Sequence, residues 1–276
     1  MALNARIIDF TSKVNGRAYR LFVSIPTRRP TPPEGHAAVY LIDGNLHFGI
    51  AVDTARIQAC WPDVIDPVVV GIGYPTDSVS TALDLRMIDL TTPISEERLK
   101  KGFIAKMPRP SEGFGGMDNY FRVIEEEVKP RVEAMVAINR QEQVLMGHSL
   151  VRHTASFQQF VAISPSIWWN DCAVLKHEAA FSERVHAGQA RTRALITVGA
   201  LESTTRFVPG LPASEQDFRD MTEECRMVPN TVELGARLAA LAAPGLHVET
   251  VVHEGDDHNM VPPAGIARGV RFAFRR

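Results

Sequence analysis

The sequence of 276 residues has few cysteines, no long apolar run and almost no net charge. Its three cysteines, Cys60, Cys172 and Cys225, lie far apart and form no CxxC pair, which argues against a zinc knuckle or a redox motif. We expect them to be small buried side chains in a reducing compartment. No apolar run approaches the ~18 residues of a membrane-spanning helix. Because 30 basic and 32 acidic residues leave a net charge of -2, no global field draws the chain to nucleic acid or to a membrane. A small-molecule substrate is therefore the expectation.

The rest of the composition is that of a soluble globular protein. Hydrophobic residues make up 45% of the chain and charged residues 22%, and the length suits one α/β domain over residues 1–276. Residues 1–6 lack the basic-then-apolar layout of a secretory signal, so a cytoplasmic location is expected.

Apolar patterning predicts alternating strands and helices. Two alternating segments around Asn15-Gly16 indicate an N-terminal antiparallel hairpin. Buried strands and helices follow in turn. The predicted strands are 5–10, 17–25, 37–42, 68–72, 143–146, 160–163, 194–198 and 247–252, and the predicted helices are 50–60, 119–135, 231–241 and 261–274. This order predicts a mostly parallel central sheet with helices on both faces. Residues 76–117 are polar and rich in proline and glycine, which is typical of a lid-like insertion.

Ser149 is the candidate nucleophile. It follows a predicted buried strand in the sequence Gly147-His148-Ser149. A strand that ends in Gly-x-Ser is typical of the nucleophile elbow, a tight turn that projects the serine hydroxyl at the carboxyl edge of the sheet.

His258 is the candidate base, because it follows the last predicted strand and precedes the last helix. In α/β hydrolases the chain order is serine, acid, histidine. Glu202 follows the preceding strand and is the candidate acid that orients the imidazole. Asp256 and Asp257 are alternatives, and a Ser-His dyad without an acid is another.

The remaining candidates would bind the substrate. An oxyanion hole needs two backbone N–H groups, and Leu150, Gly44 and Asn45 follow the relevant strands. Adjacent tryptophans at positions 168 and 169 are candidates for an aromatic wall, with core packing as the alternative. Arg86, in the lid-like stretch, is a candidate for binding an anionic substrate group, with a solvated surface position as the alternative.

Several motifs, in the same order over nearly the whole chain, resemble the putative-esterase family of α/β hydrolases that includes the siderophore trilactone esterases. They are residues 40–45, 71–75, 86–91, 147–150, 162–169 and 254–258. The resemblance implies an α/β-hydrolase fold and serine hydrolysis of ester or lactone bonds, with no metal or organic cofactor. It assigns Ser149 as nucleophile and His258 as base, with the oxyanion hole at Leu150 and the Gly44/Asn45 loop. It also suggests an anionic ferric catecholate siderophore as substrate, which would give Arg86, Trp168 and Trp169 a binding role.

The chain departs from this family just after Ser149. The family motif continues Gly-His-Ser-x-Gly-Gly into a helix, whereas here both glycines and most of the helix are absent. Only about eight to ten residues precede the next predicted strand, and a parallel crossover normally needs ~10–12 or more. Three alternatives follow: a rebuilt connection with a neighbouring segment covering the sheet, a lost elbow with weak or no catalysis, or a deletion form of a longer parent. A degenerate hydrolase that serves as a binding module is thus the alternative to an active serine esterase.

Overall fold

The computed structural model describes residues 4–149, 156–189, 191–204 and 214–276. Eight strands form one sheet in the order β1-β2-β4-β3-β5-β6-β7-β8. They are β1 (Ala5–Thr11), β2 (Ala18–Ser24), β3 (His36–Ile42), β4 (Val68–Gly73), β5 (Ile138–His148), β6 (Gln159–Ile163), β7 (Thr192–Gly199) and β8 (Leu246–His253). Strand β2 pairs antiparallel with β1 and β4, and β3 to β8 are mutually parallel. The predicted parallel sheet with an N-terminal antiparallel hairpin is confirmed.

Helices cover both faces of this sheet, as predicted. They are α1 (Gly44–Gln58), α2 (Val79–Asp89), α3 (Met117–Val123), α4 (Lys129–Glu133), α5 (Trp169–Cys172), α6 (Glu178–His186), α7 (Glu215–Cys225), α8 (Met227–Ala240) and α9 (Val261–Phe274). A π-helical turn, Ile124–Val128, joins α3 to α4, which interrupts the helix predicted over 119–135. In the described part of the chain, no helix is long and apolar enough to cross a membrane.

Strand β3 shows why both faces must be covered. All seven of its residues are buried, and successive side chains point to opposite faces. Tyr40 joins a core with residues of α3 and α4 on one face, and Val39 joins a core with residues of α1 and α9 on the other. A strand buried on both faces has the continuous apolar sequence from which it was predicted.

The short connection after Ser149 still links two parallel neighbours. Val144 of β5 pairs with Gln159 of β6, and the residues between the strands are only 149–158. The preceding helical segment covers the sheet at this point, because the buried Lys129 of α4 places its Nζ 4.0 Å from the centroid of the Phe157 ring. The same Nζ donates a hydrogen bond to the carbonyl of Ser156 at 3.0 Å. These contacts favour the first of the three alternatives, a rebuilt connection.

Two expectations about local structure need correction. The lid-like stretch 76–117 is not a polar loop throughout, because it contains α2 and buried side chains such as Leu99 and Ile104. Among the cysteines, Cys225 is buried as expected, but Cys172 is partly exposed and Cys60 is exposed. Cys60 lies in the turn just beyond the end of α1, where its side chain faces solvent.

Candidate active site

Ser149 lies at the carboxyl end of β5 in a left-handed backbone conformation, with φ of 68°. Such a conformation is uncommon for a residue with a side chain, and it is typical of the tight turn at a nucleophile elbow. The Ser149 N–H donates a hydrogen bond to the Ile163 carbonyl at 2.9 Å, which fastens the turn to β6. The Oγ of Ser149 lies 2.8 Å from the Oγ of Ser166.

His258 and Glu202 form a hydrogen-bonded pair at the same edge of the sheet. The Nδ1 of His258 lies 2.7 Å from Oε2 of Glu202. The Glu202 side chain is only 2% exposed, whereas that of His258 is 39% exposed, so the pair runs from the interior towards solvent. This contact brings together the predicted acid and the predicted base, which are 56 residues apart in sequence.

The Glu202 carboxylate is fixed by two further donors. Its Oε1 accepts hydrogen bonds from the Oγ of Ser164, at 2.6 Å, and from the N–H of Gly199, at 2.8 Å. A buried carboxylate needs such donors, because an ionised group without partners is costly to bury. Sequence reasoning did not single out Ser164; the only available signal was its place in the Ser164-Pro165-Ser166 motif.

The two alternative acids lie elsewhere in the loop before α9. The Oδ1 of Asp257 accepts hydrogen bonds from the N–H groups of Asn259 and Met260, at 2.9 and 3.0 Å. The carbonyl of Asp256 accepts from the N–H of Leu201. Glu202 is therefore the carboxylate whose hydrogen bond orients the His258 ring.

His148 packs between the candidate base and the interior. Its ring centroid lies 4.4 Å from that of His258 and 5.8 Å from that of the buried His47. Burial, together with the charges of His258, Arg86 and His47, lowers the pKa of His148 to about 2. His148 is therefore neutral at physiological pH and provides an uncharged surface beside His258.

In the described residues no hydrogen bond joins His258 to Ser149 Oγ, which has Ser166 as its side-chain partner.

The predicted oxyanion loop forms the start of α1. Asp43 has a left-handed conformation, with φ of 58°, and the chain passes directly from β3 into the helix at Gly44. For this reason α1 begins before the predicted boundary at residue 50. A Cβ on Gly44 would lie 2.7 Å from the carbonyl carbon of Gly71, so only glycine fits. The N–H groups of Gly44 and Asn45 lie in the first turn, where a helix supplies no acceptor. Leu150 lies outside the described residues.

The side chain of Asn45 has a structural task. Its Nδ2 donates hydrogen bonds to the carbonyls of Tyr74 and Thr76, each at 2.9 Å, and its Oδ1 accepts from the Tyr74 N–H at 2.8 Å. The amide therefore ties the start of α1 to the loop after β4, and only the backbone of Asn45 remains for an oxyanion.

The position of Arg86 does not fit its predicted contact with a substrate anion. Arg86 is only 8% exposed, and its guanidinium forms a bidentate ion pair with Asp43 through Nε at 2.7 Å and Nη2 at 2.9 Å. The same Nη2 donates to the His148 carbonyl at 3.0 Å. Arg86 thus joins the start of α1 to the end of β5 from the interior, because the buried Asp43 carboxylate requires a paired cation.

The two tryptophans pack in the interior and do not form an open aromatic wall. Trp168 is 8% exposed and Trp169 is 5% exposed. Their rings contact those of Phe103 and Phe114, at centroid distances of 5.7 and 5.2 Å. The Nε1 of Trp169 donates a hydrogen bond to Thr92 at 3.2 Å. The pair therefore anchors the 92–114 stretch against the sheet, which matches the alternative of core packing.

The described residues contain no group of three or more His, Cys, Asp or Glu side chains arranged to hold a metal ion. The polar side chains described at this edge of the sheet include the hydroxyls of Ser149, Ser164 and Ser166, the imidazoles of His148 and His258 and the carboxylate of Glu202.

Known proteins are similar to this chain over nearly its whole length, although no family model matches it. The ferri-bacillibactin esterase BesA of Bacillus subtilis is 32% identical over 282 residues, which cover 96% of this chain and 87% of that protein. The siderophore enterobactin esterase of Emericella nidulans is 31% identical and covers 85% of this chain and 81% of its own length. The crystal structure of the BES protein from Bacillus cereus superposes with a TM-score of 0.80 at 27% identity, covering 100% of this chain and 97% of that one. The sheet topology and these relatives together show that the chain is a serine ester hydrolase of the siderophore-esterase family of α/β hydrolases.

Proposed function

We propose that this enzyme hydrolyses ester or lactone bonds of a small-molecule siderophore through an acyl-enzyme on Ser149. The observation that carries the proposal is the 2.7 Å contact between His258 Nδ1 and the buried Glu202 carboxylate, at the edge of the sheet where Ser149 directly follows β5. A histidine held by a carboxylate through one ring nitrogen has the other nitrogen available to accept a serine proton. The relatives' names, ferri-bacillibactin esterase and enterobactin esterase, support the siderophore class.

In the proposed reaction, Ser149 Oγ attacks the ester carbonyl carbon while its proton passes to Nε2 of His258. Nδ1 remains with Glu202, which stabilises the imidazolium. The negative charge that develops on the carbonyl oxygen is met by backbone N–H groups at the start of α1. His258 then returns the proton to the leaving alcohol, and water releases the acid from Ser149 by the same steps. The contact between serine and histidine commonly shortens when substrate binds, so its absence in the resting enzyme is compatible with this sequence of steps.

The substrate within this class is part of the proposal. A cyclic trilactone of the catecholate type is the first compound to test, because ferri-bacillibactin and enterobactin are in the names of the two relatives. Since Arg86 is paired in the interior, recognition of an anionic iron complex would have to come from other groups.

The cellular location and the domain organisation of the enzyme are further parts of the proposal. We propose a cytoplasmic enzyme, supported by the free thiols of all three cysteines. We also propose that residues 1–276 act as one hydrolase domain in which part of 76–117 covers the site as a lid.

The deciding experiment compares wild type with Ser149→Ala, using p-nitrophenyl acetate and then an iron-free and an iron-loaded trilactone. Ser182→Ala is the matched control, since the Ser182 hydroxyl is on α6 beside His186. Loss of a nucleophile costs several orders of magnitude in kcat. Ser149→Ala should therefore show no measurable ester hydrolysis, and Ser182→Ala should hydrolyse the ester at the wild-type rate. The names of the relatives, all esterases, give no support to the alternative of a non-catalytic binding module. Equal rates for folded wild type and Ser149→Ala would contradict the assignment of Ser149.

A further inference from the structure

Ser166 is held against Ser149 by backbone contacts on both sides. Its N–H donates a hydrogen bond to the carbonyl of Ser149, and its own carbonyl accepts from the N–H of Trp169 at 3.1 Å. A further bond, from the N–H of Ile167 to the carbonyl of Pro165 at 2.8 Å, closes the turn around it. The position of the Ser166 hydroxyl, 2.8 Å from Ser149 Oγ, is therefore fixed by the chain that follows β6.

We propose that Ser166 is a second catalytic serine, which donates a hydrogen bond to the oxygen of Ser149 whenever that oxygen carries negative charge. The inference rests on the proposed function, because it takes Ser149 Oγ as the reacting atom. Ser166 keeps its own proton throughout; the proton that moves is the one passing between Ser149 and His258.

The direction of the hydrogen bond between Ser149 and Ser166 depends on which of the two hydroxyls still carries a proton. In the resting enzyme either oxygen can be the donor, since a serine hydroxyl both donates and accepts. Once His258 has taken the Ser149 proton, Ser149 has no hydrogen left to donate. At that moment Ser166 is the donor, and a rotation of its O–H bond is enough to reach this state.

The resulting bond is stronger in the transition state than in the ground state. A hydrogen bond to a charged oxygen is roughly twice as strong as one between neutral groups. Only interactions that strengthen in this way lower the barrier of the chemical step. In the acyl-enzyme the Ser149 oxygen is a neutral ester oxygen and a weaker acceptor, and during deacylation it gains partial negative charge as its bond to the carbonyl carbon breaks, until His258 returns its proton. Ser166 therefore assists both steps.

The neighbouring Ser164 provides a contrast within the same motif. Its hydroxyl lies 2.6 Å from Oε1 of Glu202, so its influence on the reaction passes through the acid and His258. Loss of Ser164 should therefore weaken the contact between Glu202 and His258 and shift the acidic limb of the pH profile of the rate. Loss of Ser166 should lower the rate at every pH and leave that limb in place.

The test compares Ser166→Ala, Ser166→Thr and Ser164→Ala with wild type. One assay is the second-order rate constant for labelling of Ser149 by an organophosphonate, and the other is kcat/KM for p-nitrophenyl acetate against pH. We expect Ser166→Ala to be ten- to hundredfold slower in both assays, about the worth of one hydrogen bond to a charged group, with the pH midpoint unchanged. Ser166→Thr keeps the hydroxyl and should recover most of the rate. Ser166→Cys replaces the hydroxyl with a thiol, which is a weaker donor of similar size, so both rates should be low in this variant. It replaces Ser166→Ala in the test if the alanine variant does not fold.

The outcomes separate this inference from the proposed function. Wild-type or faster labelling of Ser166→Ala or Ser166→Cys would overturn it, because Ser166 would then only pack against Ser149 or hold its proton. A shifted pH midpoint in these variants would also overturn it, in favour of an action through His258. If Ser149→Ala itself kept the wild-type rate, the proposed function would fail, and this inference with it.

Discussion

Replacing Arg86 with alanine should lower the free energy of unfolding by about 3 to 5 kcal/mol, the usual cost of removing one partner of a buried ion pair. Arg86 and Asp43 are 8% and 6% exposed, so water screens their interaction very little. The substitution would leave the Asp43 carboxylate buried without its bidentate partner and the His148 carbonyl without a donor. Because a domain has only about 5 to 15 kcal/mol of stability in total, the loss should be plain in a urea titration.

The double variant Asp43→Asn/Arg86→Met tests whether the unpaired Asp43 carboxylate is the cause of the lost stability. Asparagine tolerates the left-handed conformation at position 43 and carries no charge, so the buried charge is removed together with its partner. We expect the double variant to be more stable than Arg86→Ala. As a matched control, Arg219→Ala removes an exposed arginine paired with Glu215, and should change stability by less than about 1 kcal/mol.

The same variants distinguish the interior role of Arg86 from the substrate-binding role expected from sequence. A substrate-binding arginine would leave the urea midpoint unchanged and raise KM for anionic esters more than for neutral ones. An Arg86→Ala protein with wild-type stability and a KM defect confined to anionic substrates would refute the structural reasoning.

Two further predictions concern the residues around His258. Glu202→Gln should lower kcat by about two to four orders of magnitude at neutral pH, because the amide cannot stabilise the imidazolium. The control variant Asp257→Asn should keep kcat within a few-fold of wild type. The reverse pattern would identify Asp257 as the acid. His148→Phe should reduce the acid sensitivity of folding. Burial lowers the pKa of native His148 to about 2 from 6.5, so below pH 6.5 the unfolded chain binds a proton that the native chain does not, and stability falls by up to about 1.4 kcal/mol per pH unit. Urea titrations at pH 6.5 and 5.0 measure this difference, and an equal loss in wild type and His148→Phe would contradict it.

Much of the fold was predictable because its signals are local. Continuous apolar runs such as 37–42 and 68–72 predicted strands buried on both faces, and the structure has them at β3 and β4. The Asn15-Gly16 turn predicted the hairpin of β1 and β2. Helix boundaries were less accurate, since α1 begins at Gly44, where backbone conformation and close contact with Gly71 decide the start and side-chain periodicity does not.

The candidate site was predictable to the extent that it depends on strand ends. Ser149, Glu202 and His258 each follow a predicted strand, and parallel strands bring their carboxyl ends to one edge of a sheet. The partners of polar side chains were not predictable in the same way. Arg86 lies 43 residues from Asp43, and Ser164 lies 38 residues from Glu202. Such pairs form across elements, so no pattern within a short window of sequence reports them.

The sequence by itself determined the order of the strands, the hairpin at the N-terminus and the chain order of the candidate serine, acid and histidine, because each follows from local periodicity and from residue types at strand ends. It did not predict the helices α2, α5, α6 and α7. Only the tertiary structure decided that Glu202 and not Asp256 or Asp257 holds His258, that Arg86 pairs with Asp43 in the interior, and that Ser166 faces Ser149. The physical reason is that burial and hydrogen-bond partners depend on which side chains meet when separate elements pack. A serine, an arginine or a tryptophan has the same letter in the sequence whether it faces a substrate or the core.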